Sequence, residues 1–250
     1  MKNPSLWLLA VALSCLPLRA AAQSVVGDFN EYALALSWEP AFCEGKPTAT
    51  ECANQRPDRF DASNLALHGL WPNKDGDSAH TYGYCGVGAA EQALDRPPTW
   101  CRLPEPPVSA ATRVALNTAM PGATSCLDRH EWSKHGTCSG MTADDYFAYA
   151  SALVQQVAAT GFGRYLTANA GKTVDASEVV AAFERSFGAS SGTKLALNCT
   201  DVRGSQALLE VRLHLENPPR PASELSSMLL DKGDHGNCPA SFLLDPIPSR

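Results

Sequence analysis

The chain has 250 residues, with 20 Lys and Arg against 26 Asp and Glu, a formal net charge of −6 at pH 7. That length suits one domain with a sizeable core. The acid excess excludes a protein that grips a polyanion along its whole surface, so any polyanion it handles must meet a local positive site. Residues 1–22 read as an export signal: Lys2 is the positive head, residues 6–18 are apolar, and Ala20-Ala21-Ala22 before Gln23 supplies small residues for cleavage. The apolar run is too short for a membrane span. Residues 23–250 form the expected single domain. Losing Lys2 and Arg19 leaves 18 cations against 26 acids, a net charge of −8.

Along the mature chain, Tyr32, Leu34, Leu36 and Trp38 alternate with small residues, the period of a strand ended by Pro40. Residues 64–71, N-L-A-L-H-G-L-W, form a second strand with Leu65 and Leu67 on one face and Ala66 and His68 on the other, interrupted at Gly69 and ended by Pro72. Residues 73–107 are a long Gly- and Pro-rich loop, and loops of that length in compact domains usually serve function. Helices follow over residues 109–120, from 128 to a cap at Gly136, from Thr142 to about 159, over 163–168, and from a capping box at Asp175 and Glu178 to 187. Strands are expected at 195–199, at 207–215 with Leu209, Val211, Leu213 and Leu215 on one face, and at 241–244. Of nine cysteines, Cys15 leaves with the signal. An even set of eight in an exported chain implies four disulfides, and no C-x-x-C pair marks a zinc site.

The chemistry concentrates in residues 127–137, L-D-R-H-E-W-S-K-H-G-T. At about 100° per residue, His130, Glu131, Lys134 and His135 share one helical face less than half a turn wide. The two histidines are five apart rather than the four of a zincin, and helical geometry splays their rings by about 140°. Lys134 would also repel a metal, so neither a metal nor a cofactor is expected; a serine–histidine triad is set aside too. Two imidazoles, an ammonium and a carboxylate suit metal-free phosphate chemistry. In RNA the 2′-hydroxyl is an internal nucleophile. One group must take its proton, a second must protonate the departing 5′-oxygen, and a cation must stabilise the phosphorane. DNA lacks that nucleophile. Attack and departure are in line, so the second proton carrier belongs on a separate element, and His68 is the natural choice.

The segments L-H-G-L-W-P at 67–72 and H-E-W-S-K-H-G-T-C at 130–138 together resemble the two active-site segments of the T2 family of ribonucleases. The likeness extends to Y-A-L-A-L-S-W-E-P-A-F-C near the start and L-L-E-V-R-L-H-L near the end. M-P-G at 120–122, G-K-T-V at 171–174 and the cysteine spacing are most similar to the bacterial periplasmic members. The resemblance implies an α+β fold, a central mainly antiparallel sheet packed with helices and stapled by disulfides. It implies His68 and His135 as the acid–base pair, with Lys134 and Glu131 stabilising and orienting the phosphorane. His130 would contact phosphate, and Trp71 and Asn73 would meet a base. It pairs Cys43 with Cys52, Cys85 with Cys138, Cys101 with Cys126, and Cys199 with Cys238. His80, His214 and His235 match no motif and read as surface or structural. The expectation is a monomeric endoribonuclease, periplasmic or secreted, acting on single-stranded RNA with little base preference. It would neither act on DNA nor bind a membrane once the signal is gone. Its products would be 2′,3′-cyclic phosphates, then 3′-phosphates. The rival is an exported binding or toxin-like protein, catalytically silent on the same fold.

Overall fold

A computed structural model describes residues 24–77 and 81–247. The export signal, Cys15 and His80 lie outside them. Among the described residues the frame is one sheet of seven strands: β1 (Glu31–Ser37), β2 (Ala66–Asn73), β3 (Thr173–Asp175), β4 (Leu195–Val202), β5 (Ser205–Glu216), β6 (Leu229–Leu230) and β7 (Ser241–Leu243). The strand order is β2-β1-β5-β7-β3, and β4 and β6 also pair with β5. Every pairing between these seven strands is antiparallel except a parallel contact of β5 with β7. With helices interspersed along the chain, this is the expected α+β class. β3 and β6, only three and two residues long, were not expected, because strands that short carry no periodic signal.

The two faces of the β2-β1-β5 core differ by side-chain size. Tyr32, Leu34 and Leu36 of β1 lie opposite Leu213 and Leu215 of β5 and Leu67 and Leu70 of β2, and all join the main apolar cluster. The helix at Ala143–Ala158 packs there; its Tyr146 hydroxyl donates to the Leu70 carbonyl at 2.5 Å. The opposite face carries Ala33, Ala35 and Gly69 in the middle rows. Small residues there leave a depression over the sheet, flanked by larger polar side chains.

Two β-bulges set what points into it. Leu36 pairs with Leu67 and Ala35 with Gly69, so His68 is the extra residue of β2. In a regular strand His68 and Trp71, three apart, would face opposite ways; the bulge turns both toward the depression. The second bulge is at Leu209, since Asn198 pairs with Glu210 and Cys199 with Leu208. It moves Leu208 into the core and leaves Leu209 half-buried, correcting the alternation expected for β5. Pro72 does not end β2, which runs on to Asn73; β2 is an edge strand, where a missing N–H is tolerated. Pro40 does not merely stop β1 but opens a helix at Glu39–Gly45.

Ser109 and Thr142 cap their helices with side-chain oxygens. Asp175 precedes the helix at Ala176–Phe187 without a side-chain cap bond, and Glu178 instead accepts from the Tyr165 hydroxyl. The helix carrying the polar cluster runs Leu127–Lys134, with His135 as its C-cap and a 3-10 turn at Gly136–Cys138. Gly136 is not a left-handed cap. Its role is close packing: a Cβ there would lie 2.3 Å from the Trp132 ring. Four disulfides staple the chain, Cys43–Cys52, Cys85–Cys138, Cys101–Cys126 and Cys199–Cys238. Among the described residues no helix is long and apolar enough to cross a membrane.

Candidate active site

A cleft of about 790 Å³ lies over the small-residue face of the sheet. All seven residues singled out from the two motifs line it: His68, Trp71 and Asn73 from β2, and His130, Glu131, Lys134 and His135 from the helix and its cap. Gly69 lets the two elements meet. A Cβ on it would stand 2.1 Å from Glu131 Oε2 and 2.2 Å from Trp71 Nε1. With only hydrogen there, the Trp71 indole N–H donates to Glu131 Oε2 at 2.8 Å. On the helix's other side Trp132 packs edge-on against Tyr146 and anchors it to the core.

The histidines are gathered around Trp71. Its ring centroid lies 5.1 Å from that of His68 and 5.5 Å from that of His135. His130 and His135 are edge to face at 6.0 Å. The splay expected from helical geometry does not hold, because the chain leaves the helix at His135. The donor atoms of His130, Glu131 and His135 consequently come within 4.8 Å of one another, the set among the described residues that could hold a metal ion. Lys134 beside them opposes that use.

The two histidines of the expected acid–base pair sit in opposite electrostatic settings. His135 Nδ1 is buried without a hydrogen-bond partner. Burial pushes the His135 pKa well below 6.5, and the positive charges of Lys134, His130 and His68 push the same way. For His68 burial also pulls downward, but the hydrogen bond to Glu210 and the charges of Glu131, Glu210 and Glu39 outweigh it and raise the pKa above 6.5. Glu131 is fully buried, and burial raises its carboxyl against the opposing pull of His130, His68, Trp71 and Lys134. Its Oε1 has no hydrogen-bond partner and lies 3.8 Å from His130 Nε2.

Several residues around the cleft escaped the sequence reading. The long loop contributes Asp95, whose Oδ1 lies 2.6 Å from His130 Nδ1 and whose Oδ2 accepts from the Tyr84 hydroxyl at 2.8 Å. Trp100 stacks on the His130 ring at 4.8 Å. The disulfide Cys85–Cys138 ties this loop to the 3-10 turn that follows the helix. From β5 come Glu210, Arg212 and His214, with His214 held between Glu31 and Asp234. The signal was available: Glu210, Arg212, His214 and Glu216 are ionisable residues at alternate positions of β5, between Val211, Leu213 and Leu215 that face the core. His214 matched no motif, yet it lines the cleft.

One serine string needs separating from this site. Residues 188–192, G-A-S-S-G, have the spacing of a nucleophile elbow, but they connect a helix to β4 rather than a strand to a helix. None of them lines the cleft.

The chain matches the model of the Ribonuclease T2 family over residues 29–222. It is 31% identical to Ribonuclease I of Escherichia coli over 257 aligned positions, covering 94% of this chain and 95% of that protein. It is 33% identical to a ribonuclease of Aeromonas hydrophila, over 54% of this chain and 49% of that one. Among solved structures, ribonuclease MC1 from bitter gourd seeds superposes with a TM-score of 0.55 at 21% identity, covering 86% of this chain and all of that one. That likeness shows a shared fold. With the family's sequence pattern spanning most of the domain and both of its histidine segments meeting in one cleft, the chain belongs to the ribonuclease T2 family and is an RNA endonuclease of that type.

Proposed function

We propose that the enzyme cleaves single-stranded RNA by transesterification without a metal, His135 acting first as base and His68 as acid. His135 takes the 2′-hydroxyl proton, and the 2′-oxygen attacks phosphorus. His68 gives its proton to the 5′-oxygen as the P–O5′ bond breaks, leaving a 2′,3′-cyclic phosphate. In the slower second step the roles reverse and water opens the ring to a 3′-phosphate. The observation that carries this reading is the contrast around the two imidazoles: His68 Nδ1 lies 2.8 Å from the Glu210 carboxylate, which favours its charged form, while His135 Nδ1 is buried without a hydrogen-bond partner beside Lys134, which favours the neutral form. Pairs of groups whose surroundings drive their pKa values apart are how one site runs acid and base chemistry together.

Lys134 and Glu131 stabilise and orient the phosphorane, and His130, steadied by Asp95 and Trp100, contacts phosphate. Trp71 and Asn73 are two apart on the cleft face of β2 and border the place for a base. Such a site has few groups that read base identity, which favours low base preference. DNA offers no 2′-nucleophile. The enzyme works as a monomer, residues 1–22 direct export, and the mature domain of residues 23–250 acts in the periplasm or outside the cell. The test is digestion of single-stranded RNA by the oxidised protein with excess chelator. Undiminished cleavage is expected. Inactivity of the folded protein with or without chelator would favour a silent binding protein, and loss with chelator alone would favour metal catalysis.

A further inference from the structure

His68 and Glu210 stand on the two strands that flank β1, at the same level and each at a bulge. His68 is the extra residue of β2 beside Leu36, and Glu210, opposite Ser37, follows the bulged Leu209. The bulge at His68 breaks the alternation of β2 and turns the imidazole to the face that Glu210 shares with Arg212 and His214 on β5. The result is a contact of 2.8 Å between His68 Nδ1 and Glu210 Oε2. The other oxygen, Oε1, accepts from Arg212 Nη2 at 2.8 Å, while Arg212 Nη1 reaches Asp234 at 3.3 Å. The Arg212 guanidinium also lies 5.6 Å from the Trp71 ring centroid. Both carboxylate oxygens of Glu210 are thereby fixed, one toward the imidazole and one toward the arginine.

We propose that Glu210, held by Arg212, is the positioning residue of His68: it accepts a fixed hydrogen bond from Nδ1–H, which keeps its proton, and so presents Nε2–H to the leaving oxygen. This rests on the acid role given to His68 above. When His68 passes its Nε2 proton to the 5′-oxygen, the Nδ1 proton stays on the hydrogen bond to Glu210, and the neutral ring keeps the tautomer able to accept a proton in the second step. The same carboxylate stabilises the imidazolium beforehand. Glu131 and Glu39 also face His68 and favour its charged form, and the imidazole of His135 opposes it when protonated. Glu210 differs from these carboxylates in being hydrogen-bonded to the ring.

The test is the pH dependence of kcat and kcat/KM for a dinucleoside monophosphate with the wild type, Glu210→Gln, Glu210→Ala, His68→Ala and His68→Ala/Glu210→Gln. Glu210→Gln keeps the shape and a hydrogen-bonding group but not the charge. It is expected to lower kcat by about tenfold or more with KM changed less than about twofold. The alkaline limb of its profile should move to lower pH, because removing the anion lowers the pKa of the acid. In the His68→Ala background the same change should have little further effect, since its route is through the imidazole. A Glu210→Gln enzyme with wild-type kcat and an unmoved alkaline limb overturns the proposal, whether or not Glu210→Ala folds. An equal loss in both backgrounds overturns it too, since Glu210 would then act elsewhere. If His68→Ala itself retains wild-type turnover, the catalytic reading fails first and takes this one with it.

Discussion

The Trp71 indole N–H donates to Glu131 Oε2 across 2.8 Å, joining the edge strand to the helix at Leu127–Lys134. Glu131 has no second hydrogen bond, as its other oxygen is buried and unpartnered. Trp71→Phe therefore leaves a buried carboxylate without its fixed donor. The expected loss is about 1–3 kcal/mol of stability, with turnover reduced by about tenfold, near 1.4 kcal/mol of barrier. Denaturant unfolding and single-turnover rates check this. Unchanged stability and rate would show that the bond fixes nothing.

His68 and His135 reach the cleft from elements 67 positions apart in sequence, and each is given a proton transfer. His68→Ala and His135→Ala should each lower turnover by about 100-fold or more, the usual scale for a general acid or base. Initial rates on a homopolymeric RNA, with folding checked by circular dichroism, are the measurement. A folded variant at near-normal rate would remove that histidine from the mechanism.

The pH profile follows from the signs of the two shifts. His135 must be neutral, and its pKa is held well below 6.5; His68 must be protonated, and its pKa is held above 6.5. The rate constant kcat/KM should rise with pH through the lower value, stay level on both sides of 6.5, and fall through the upper one. Measured kcat/KM across the range reads this directly. A sharp maximum with no plateau would show that the two groups are not driven apart.

Gly69 is required by space rather than by backbone angle. A methyl group there would stand 2.1 Å from Glu131 Oε2 and 2.2 Å from Trp71 Nε1. Gly69→Ala should destabilise the fold by about 1–3 kcal/mol, lowering Tm by about 2–4 °C for each kcal/mol. It should also depress activity through displaced Glu131. Calorimetry decides: an unmoved Tm would mean that strand and helix do not meet as closely as described.

How far these features were readable depended on how local they are. The helix at 127–134 and the strand at 66–73 announced themselves through short strings whose polar groups recur at helical or strand spacing. The two bulges did not, because each is a mismatch between two strands distant in sequence, visible only in pairing. Glu210 lies in a strand whose alternation was recognised, on one face with Arg212 and His214; what stayed hidden was its partner, because only the bulge in β2 turns His68 to that face. Asp95 was hidden differently. It belongs to a loop without periodicity, and it meets His130 because a disulfide and the hydrogen bond from the Tyr84 N–H to the Lys134 carbonyl hold that loop against the helix. The expected divergence of His130 and His135 failed for a local reason, the end of the helix one residue before it was expected to continue.

The central claim is that the substrate's own 2′-hydroxyl is the nucleophile, activated and released by two imidazoles. An RNA oligonucleotide with one internal 2′-deoxy residue, digested in chelator and analysed by mass, tests it most directly. Cleavage is expected after ribonucleotides with 2′,3′-cyclic phosphate ends, and none immediately 3′ to the deoxy position. Cleavage at that position, or products carrying 5′-phosphates, would contradict it.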